Sequence, residues 1–176
     1  MPSRRVSVVA LFAVLATSSS TSAVTLTDPT EFRTAEERTV VPLRGGGTLA
    51  LGSHTTVRVY ENRPYNFNRI EIVAGSAVLL SRTSAPVVAC GTDAGLSSGG
   101  VFRFDVLDPE RIDGTQRCRI RVYEGAASTP GASVTYVLRD GQQMIMNRRA
   151  GDMIPVDSLD VSILDQFDRW AREQIR

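Results

Sequence analysis

The sequence predicts an all-β fold followed by one C-terminal helix, on three observations. The tetrapeptide Arg-Val-Tyr-Glu occurs twice, within VRVYEN (57–62) and IRVYEG (120–125). Two strand-like runs, 69–73 and 119–124, each start on a basic residue, alternate, and break at a glycine followed by a small residue and an alanine. Those glycines, Gly75 and Gly125, lie 50 positions apart, a spacing at which self-similarity marks stacked or repeated β units. After Ser162 the apolar positions change from a period of two to helical spacing.

Residues 1–23 read as an export signal. Arg4 and Arg5 open it, 6–16 form an apolar run broken only by Ser7, and 17–23 are small residues ending at Ala23, where cleavage is expected. The apolar run is about half the length of a membrane span, and no cysteine stands nearby to carry a lipid. Cleavage would remove two arginines and no acid, leaving 18 basic and 19 acidic residues, a net charge of −1. The expected location is the periplasm or outside the cell, with no membrane span after cleavage.

Residues 24–39 are polar and read as a lead-in or short strand region. From 40 to 146 the pattern is β. Residues 48–51 and 56–60 flank the turn Gly52-Ser53-His54, and further strands are expected at 69–73, 77–81, 87–90, 101–106, 117–123, 133–138 and 143–146. Their separators are rich in Gly, Pro, Asp and Ser. Asp140-Gly141 reads as a hairpin turn, and 45–47 and 95–100 read as loops, the second a mobile tip. The expected division is a β domain over 24–156 and a helical segment over 157–176.

In that last segment Ile163, Leu164, Phe167, Trp170, Ala171 and Ile175 mark one helix face, and Ser162 with Asp165 fits a capping box. A helix this short is not stable alone in water. Docking of Leu164, Phe167 and Trp170 on the sheet, at roughly 1.5–3 kcal/mol for each buried side chain, would hold it. The alternative is an amphipathic tail awaiting a partner.

Composition restricts the chemistry. All 20 basic residues are arginine, which removes Schiff-base and phosphate-loop lysines. His54 is the single histidine, so a two-histidine metal site cannot form. The near-neutral charge offers no field for nucleic acid. Ser97-Ser98 has no nucleophile-elbow context. Asp105, Asp108, Glu110 and Asp113 lack the glycine and spacing of a calcium loop. No catalytic residue, metal or cofactor is expected.

Cys90 and Cys118 are even in number, and in an oxidising compartment that favours a bridge. Two separate buried thiols are the alternative. Period-two alternation puts Cys118, Ile120 and Val122 on the buried face of their strand and Arg117, Arg119 and Arg121 outside, with Tyr123 continuing the outer row. That row is a possible interaction face for an acidic protein surface or an anionic polymer; a solvated face paired with acids on neighbouring strands is the alternative.

Five pieces resemble, in order, the FecR-like domain of bacterial envelope proteins. They are Leu51-Gly52-Ser53-His54-Thr55-Thr56-Val57, Ala74-Gly75-Ser76-Ala77-Val78, Gly100-Val101-Phe102-Arg103-Phe104-Asp105-Val106, Arg121-Val122-Tyr123-Glu124-Gly125-Ala126 and Leu138-Arg139-Asp140-Gly141-Gln142-Gln143. The resemblance implies a solenoid-like or rolled antiparallel sheet and a non-enzymatic role. The founding members of that family relay a receptor signal to a sigma factor through a cytoplasmic segment and a membrane span. Here only an export signal is read before the β domain, so the expectation is a protein-interaction or signalling-accessory module acting on an envelope protein. A polysaccharide- or peptidoglycan-binding module is the alternative.

Overall fold

A computed structural model describes residues 28–62, 67–108, 116–131, 134–147, 153–160 and 162–175. The expected export signal, Glu110 and Asp113 lie outside the described residues. Fourteen strands are β1 (Thr30–Arg33), β2 (Thr39–Leu43), β3 (Gly47–Leu51), β4 (Thr56–Asn62), β5 (Phe67–Ala74), β6 (Ser76–Ser81), β7 (Ala85–Ala89), β8 (Thr92–Leu96), β9 (Gly100–Val106), β10 (Arg117–Glu124), β11 (Ala126–Pro130), β12 (Thr135–Arg139), β13 (Gln142–Asn147) and β14 (Met153–Ser158). One helix, α1 (Gln166–Ile175), closes the described chain.

The strands form two seven-stranded sheets, ordered β1-β4-β5-β7-β8-β11-β12 and β14-β13-β10-β9-β6-β3-β2. All pairings are antiparallel except β5 with β7. The inward rows are Val57 and Val59, Ile70 and Ile72, Val87 and Ala89 from the first sheet. Against them pack Leu49 and Leu51, Phe102 and Phe104, Ile120 and Val122 from the second. Alternate residues of these strands thus face the core between the sheets, as the pleat requires.

Gly75 and Gly125 are where the chain leaves one sheet for the other. β5 lies in the first sheet and β6 in the second; β10 lies in the second and β11 in the first. Both glycines hold positive φ, +80° and +92°, which glycine adopts without the penalty a Cβ brings. A Cβ at Gly75 would also run into Thr55 and the His54 carbonyl.

Asp140-Gly141 is a correction to the sequence reading. Gly141 has φ +70°, but β12 and β13 lie in different sheets, so the pair makes a corner and not a hairpin. The same positive φ serves both geometries. The expected loop at 95–100 is likewise corrected: β8 runs through Gly95 and Leu96. Ser97 and Gly99 then donate backbone bonds to Ala126 and Ser81 at 2.9 and 2.7 Å. β14 runs to Ser158, two residues past the expected domain edge.

Cys90 and Cys118 form a disulfide, with S–S 2.02 Å and Cα–Cα 5.9 Å. It joins the β7–β8 turn to β10, and so ties the two sheets across the core. No helix among the described residues is long and apolar enough to cross a membrane.

α1 adds a third layer on the outer face of the second sheet. Phe167, Ala171 and Ile175 pack with Ala50, Val78, Val101 and Tyr123, with Leu80, Leu164 and Trp170 partly buried beside them. The helix begins at Gln166, later than expected, because the capping box is Asp165 with Asp168 and not Ser162 with Asp165. The Asp168 N–H donates to Asp165 Oδ1 at 2.8 Å and the Asp165 N–H to Asp168 Oδ2 at 3.3 Å. This satisfies two otherwise orphaned backbone donors at the helix start.

Candidate interaction surface

The outward row of β10 divides into three environments. Arg117 is half-exposed and paired with Asp108 at 2.6 and 3.3 Å. Arg119 is partly exposed and makes no ion pair or hydrogen bond among the described residues. The Arg121 side chain is 15% exposed and stands 3.6 Å from Asp105 Oδ2. Tyr123 is only 7% exposed: α1 lies over it, and its hydroxyl donates to Asp168 Oδ1 at 2.6 Å. The row is therefore not one solvent-facing ladder, since its Tyr123 end belongs to the helix interface.

Leu164, Phe167 and Trp170 stand in that interface, with the Phe167 and Trp170 rings stacked at 5.9 Å. Arg38 reaches over both rings, 6.0 and 5.6 Å from their centroids, and Arg172 covers the Tyr123 ring at 4.6 Å. Such placements add cation–π attraction to the apolar contact.

The centre of the interface is Arg103, buried on β9. Its Nε donates to Asp105 Oδ1 at 2.8 Å, and its Nη1 lies 2.6 Å from Asp165 Oδ2 and 2.8 Å from Asp168 Oδ2. Burial by itself disfavours the guanidinium charge, but Asp105, Asp168 and Asp165 outweigh it and push the pKa above the ordinary arginine value. Burial, then the bond to Asp168, pushes the Tyr123 phenol up to about 12. For Asp165 burial opposes ionisation. The Asp168 backbone N–H and the Arg103 guanidinium prevail and hold its carboxyl below the usual range.

Sequence reasoning missed this cluster, although two signals were present. Arg103 and Asp105 alternate with Phe102 and Phe104, so they share the outer face of a strand whose every residue is buried. Asp168 sits on the apolar stripe of α1 beside Phe167 and Ala171. A charge at a core position of each element, of opposite sign, is the pattern of a buried pair.

Beside the helix, the floor of Arg119, Arg121 and Gln143 and the wall of Leu159, Ile163 and Leu164 bound a groove of about 410 Å³. Gln143 lies opposite Arg121 in register. The remaining sequence candidates are elsewhere. His54, at φ +51°, is exposed in the β3–β4 corner with Nε2 3.4 Å from Glu36 Oε1. Ser97 accepts the Ala126 N–H at 2.9 Å. Among the described residues no group of three or more His, Cys, Asp or Glu could hold a metal ion.

No protein-family model matches the chain, and no curated protein matches it in sequence. Its fold is similar to that in two crystal structures, at 2.50 and 1.65 Å resolution, of a candidate anti-sigma factor from Parabacteroides distasonis ATCC 8503. Both give a TM-score of 0.62, at 18 and 17% identity, over 76% of this chain. The chain spans about three-fifths of their length, 62 and 61%. At that identity the likeness is one of fold.

Proposed function

We propose that this chain is an exported, non-enzymatic FecR-like module of the bacterial cell envelope that works by binding another envelope protein in a signalling-accessory role. The observation that carries the reading is the fold: three-quarters of the chain follows a protein described as a candidate anti-sigma factor. The five FecR-like sequence pieces agree with it, since four of them fall on corners where the chain changes sheet. The buried Cys90–Cys118 bridge suits the oxidising compartment that export implies.

The test is mild cross-linking in the native envelope, then co-purification on the mature protein and mass spectrometry. The expected result is one envelope protein in near-stoichiometric amount. Recovery of the chain alone, or of wall glycan, would overturn it in favour of self-assembly or polymer binding. A turnover abolished by one substitution would overturn the non-enzymatic part.

A further inference from the structure

We infer that the groove between β10, β13 and the segment leading into α1 binds a carboxylate on a short acidic segment of a protein partner. This deepens the protein-binding reading above and rests on it. The floor is set by strand geometry: Arg119 and Arg121 are two residues apart on one face, about 7 Å along the strand. Gln143 is brought alongside by the β10–β13 register.

No carboxylate among the described residues lies within hydrogen-bond distance of Arg119 or Arg121. Arg103 and Arg117 hold carboxylate oxygens at 2.6–2.8 Å. Arg119 has no partner among the described residues. The Arg121 Nε is buried with no hydrogen-bond partner, and so is the facing Asp105 Oδ2, the two side chains meeting only in a 3.6 Å ion pair. Buried N–H groups are rarely left unpaired, because desolvation is then uncompensated. An incoming carboxylate would be met by the Arg119 guanidinium and the groove-facing edge of Arg121, with the Gln143 amide beside them. Guanidinium groups suit a planar two-oxygen acceptor of this kind.

The acids at the groove margin are already engaged. Asp165 and Asp168 face Arg103, and Asp160 accepts the Ser162 N–H and hydroxyl at 2.9 and 2.6 Å. Asp160 keeps its charge at the rim, so the cationic part of the groove is its floor, Arg119 and Arg121. Its wall is apolar and open, with Ile163 75% exposed beside Leu159 and Leu164. A cationic floor against an aliphatic wall fits an Asp or Glu flanked by an aliphatic residue. The volume of about 410 Å³ holds a few residues and not a tract of polyanion.

The test is NMR titration of the ¹⁵N-labelled mature protein with acetyl-Leu-Glu-Leu-amide, with acetyl-Leu-Gln-Leu-amide and with inorganic phosphate. The glutamate peptide is expected to shift the Arg119 Nε–H and the amides of 119, 121, 143, 159, 160 and 162–164 saturably, where the glutamine peptide and phosphate do not. Arg119→Gln should weaken that binding about tenfold or more with an unchanged unfolding midpoint. Absence of saturation, equal response to the glutamine peptide or phosphate, shifts elsewhere, or an inert Arg119→Gln would overturn the site. An envelope partner still captured undiminished by Arg119→Gln would remove the groove and leave the protein-binding reading standing. Capture of no partner by either form would remove that reading itself.

Discussion

Arg58 and Tyr60 on β4, and Arg121 and Tyr123 on β10, come from the two copies of one tetrapeptide. In both the tyrosine hydroxyl donates to a carboxylate. On the first sheet Tyr60 reaches Glu71 at 3.1 Å, and Arg58 bridges Glu31 and Glu71 at 2.9 and 3.5 Å. That outer face is open to water. On the second sheet Tyr123 reaches Asp168 at 2.6 Å beneath a helix. The outward neighbours explain the difference: Ala50, Val78, Leu80 and Val101 make an apolar platform on the second sheet. Arg58, Arg69, Glu71 and Asp93 make a charged lattice on the first. The same side-chain pair is thus a solvated surface contact in one place and part of the latch of a third layer in the other.

The comparison breaks most sharply at the arginines. Arg103→Met would leave Asp168 a buried carboxylate without its counter-charge and Asp105 with only the 3.6 Å Arg121 contact, a loss of about 3–5 kcal/mol. Arg58→Met on the open face should leave the urea midpoint indistinguishable from that of the parent, because exposed pairs are screened. Trp170, the single tryptophan, stands in the helix interface, so its emission would report undocking separately from circular dichroism of the sheets. Equal losses from the two substitutions would mean that the helix does not shield the cluster.

The tyrosines sharpen the contrast at a smaller scale. Tyr123→Phe removes the donor to a carboxylate that is 2% exposed, and should cost about 1–3 kcal/mol. Tyr60→Phe leaves Glu71 its Arg58 contact and water, and should cost measurably less in the same urea titration.

Strand identity was legible because β5, β9 and β10 alternate cleanly; the disulfide was legible from an even cysteine count in an oxidising compartment, and the helix-facing Phe167 from helical spacing. Sheet membership was not. A positive-φ glycine looks alike in a hairpin and in a corner, and only long-range pairing separates Gly141 from a true hairpin. β8 reads Thr-Asp-Ala-Gly-Leu and has weak strand propensity; it is a strand because β7 and β11 flank it. The outward row of β10 was legible as far as Arg119 and Arg121. The burial of Tyr123 was not, because the residue that receives its hydroxyl lies 45 positions later. Gln143, Leu159 and Ile163 join the groove only through tertiary structure, with no shared motif to announce it.

The helix start gives the next effect in size. Asp165→Ala removes the cap on the Asp168 N–H and should cost about 1 kcal/mol, read as lost helical signal and an earlier Trp170 transition. No residue of the open face has an equivalent.

The smallest effect is in alkali, and it acts at Tyr123. The folded Tyr123 phenol titrates at about 12, above the ordinary value near 10, because it is buried and donates to Asp168. The folded state therefore keeps a proton that the unfolded chain releases first. The stabilisation from this group is complete below about pH 10 and declines as pH rises toward 12. Urea midpoints followed by Trp170 emission at pH 8, 10 and 11 should fall in that window for the parent and fall less for Tyr123→Phe. In acid the sign reverses for Asp165, whose carboxyl is held below the usual range. Its contribution is present above the ordinary carboxylate pKa and is lost as pH drops through the lowered one. The covered face should thus release its helix at both pH extremes. An identical alkaline slope in Tyr123→Phe would show that the phenol is not part of the latch, leaving Arg103 and the apolar contact to hold α1.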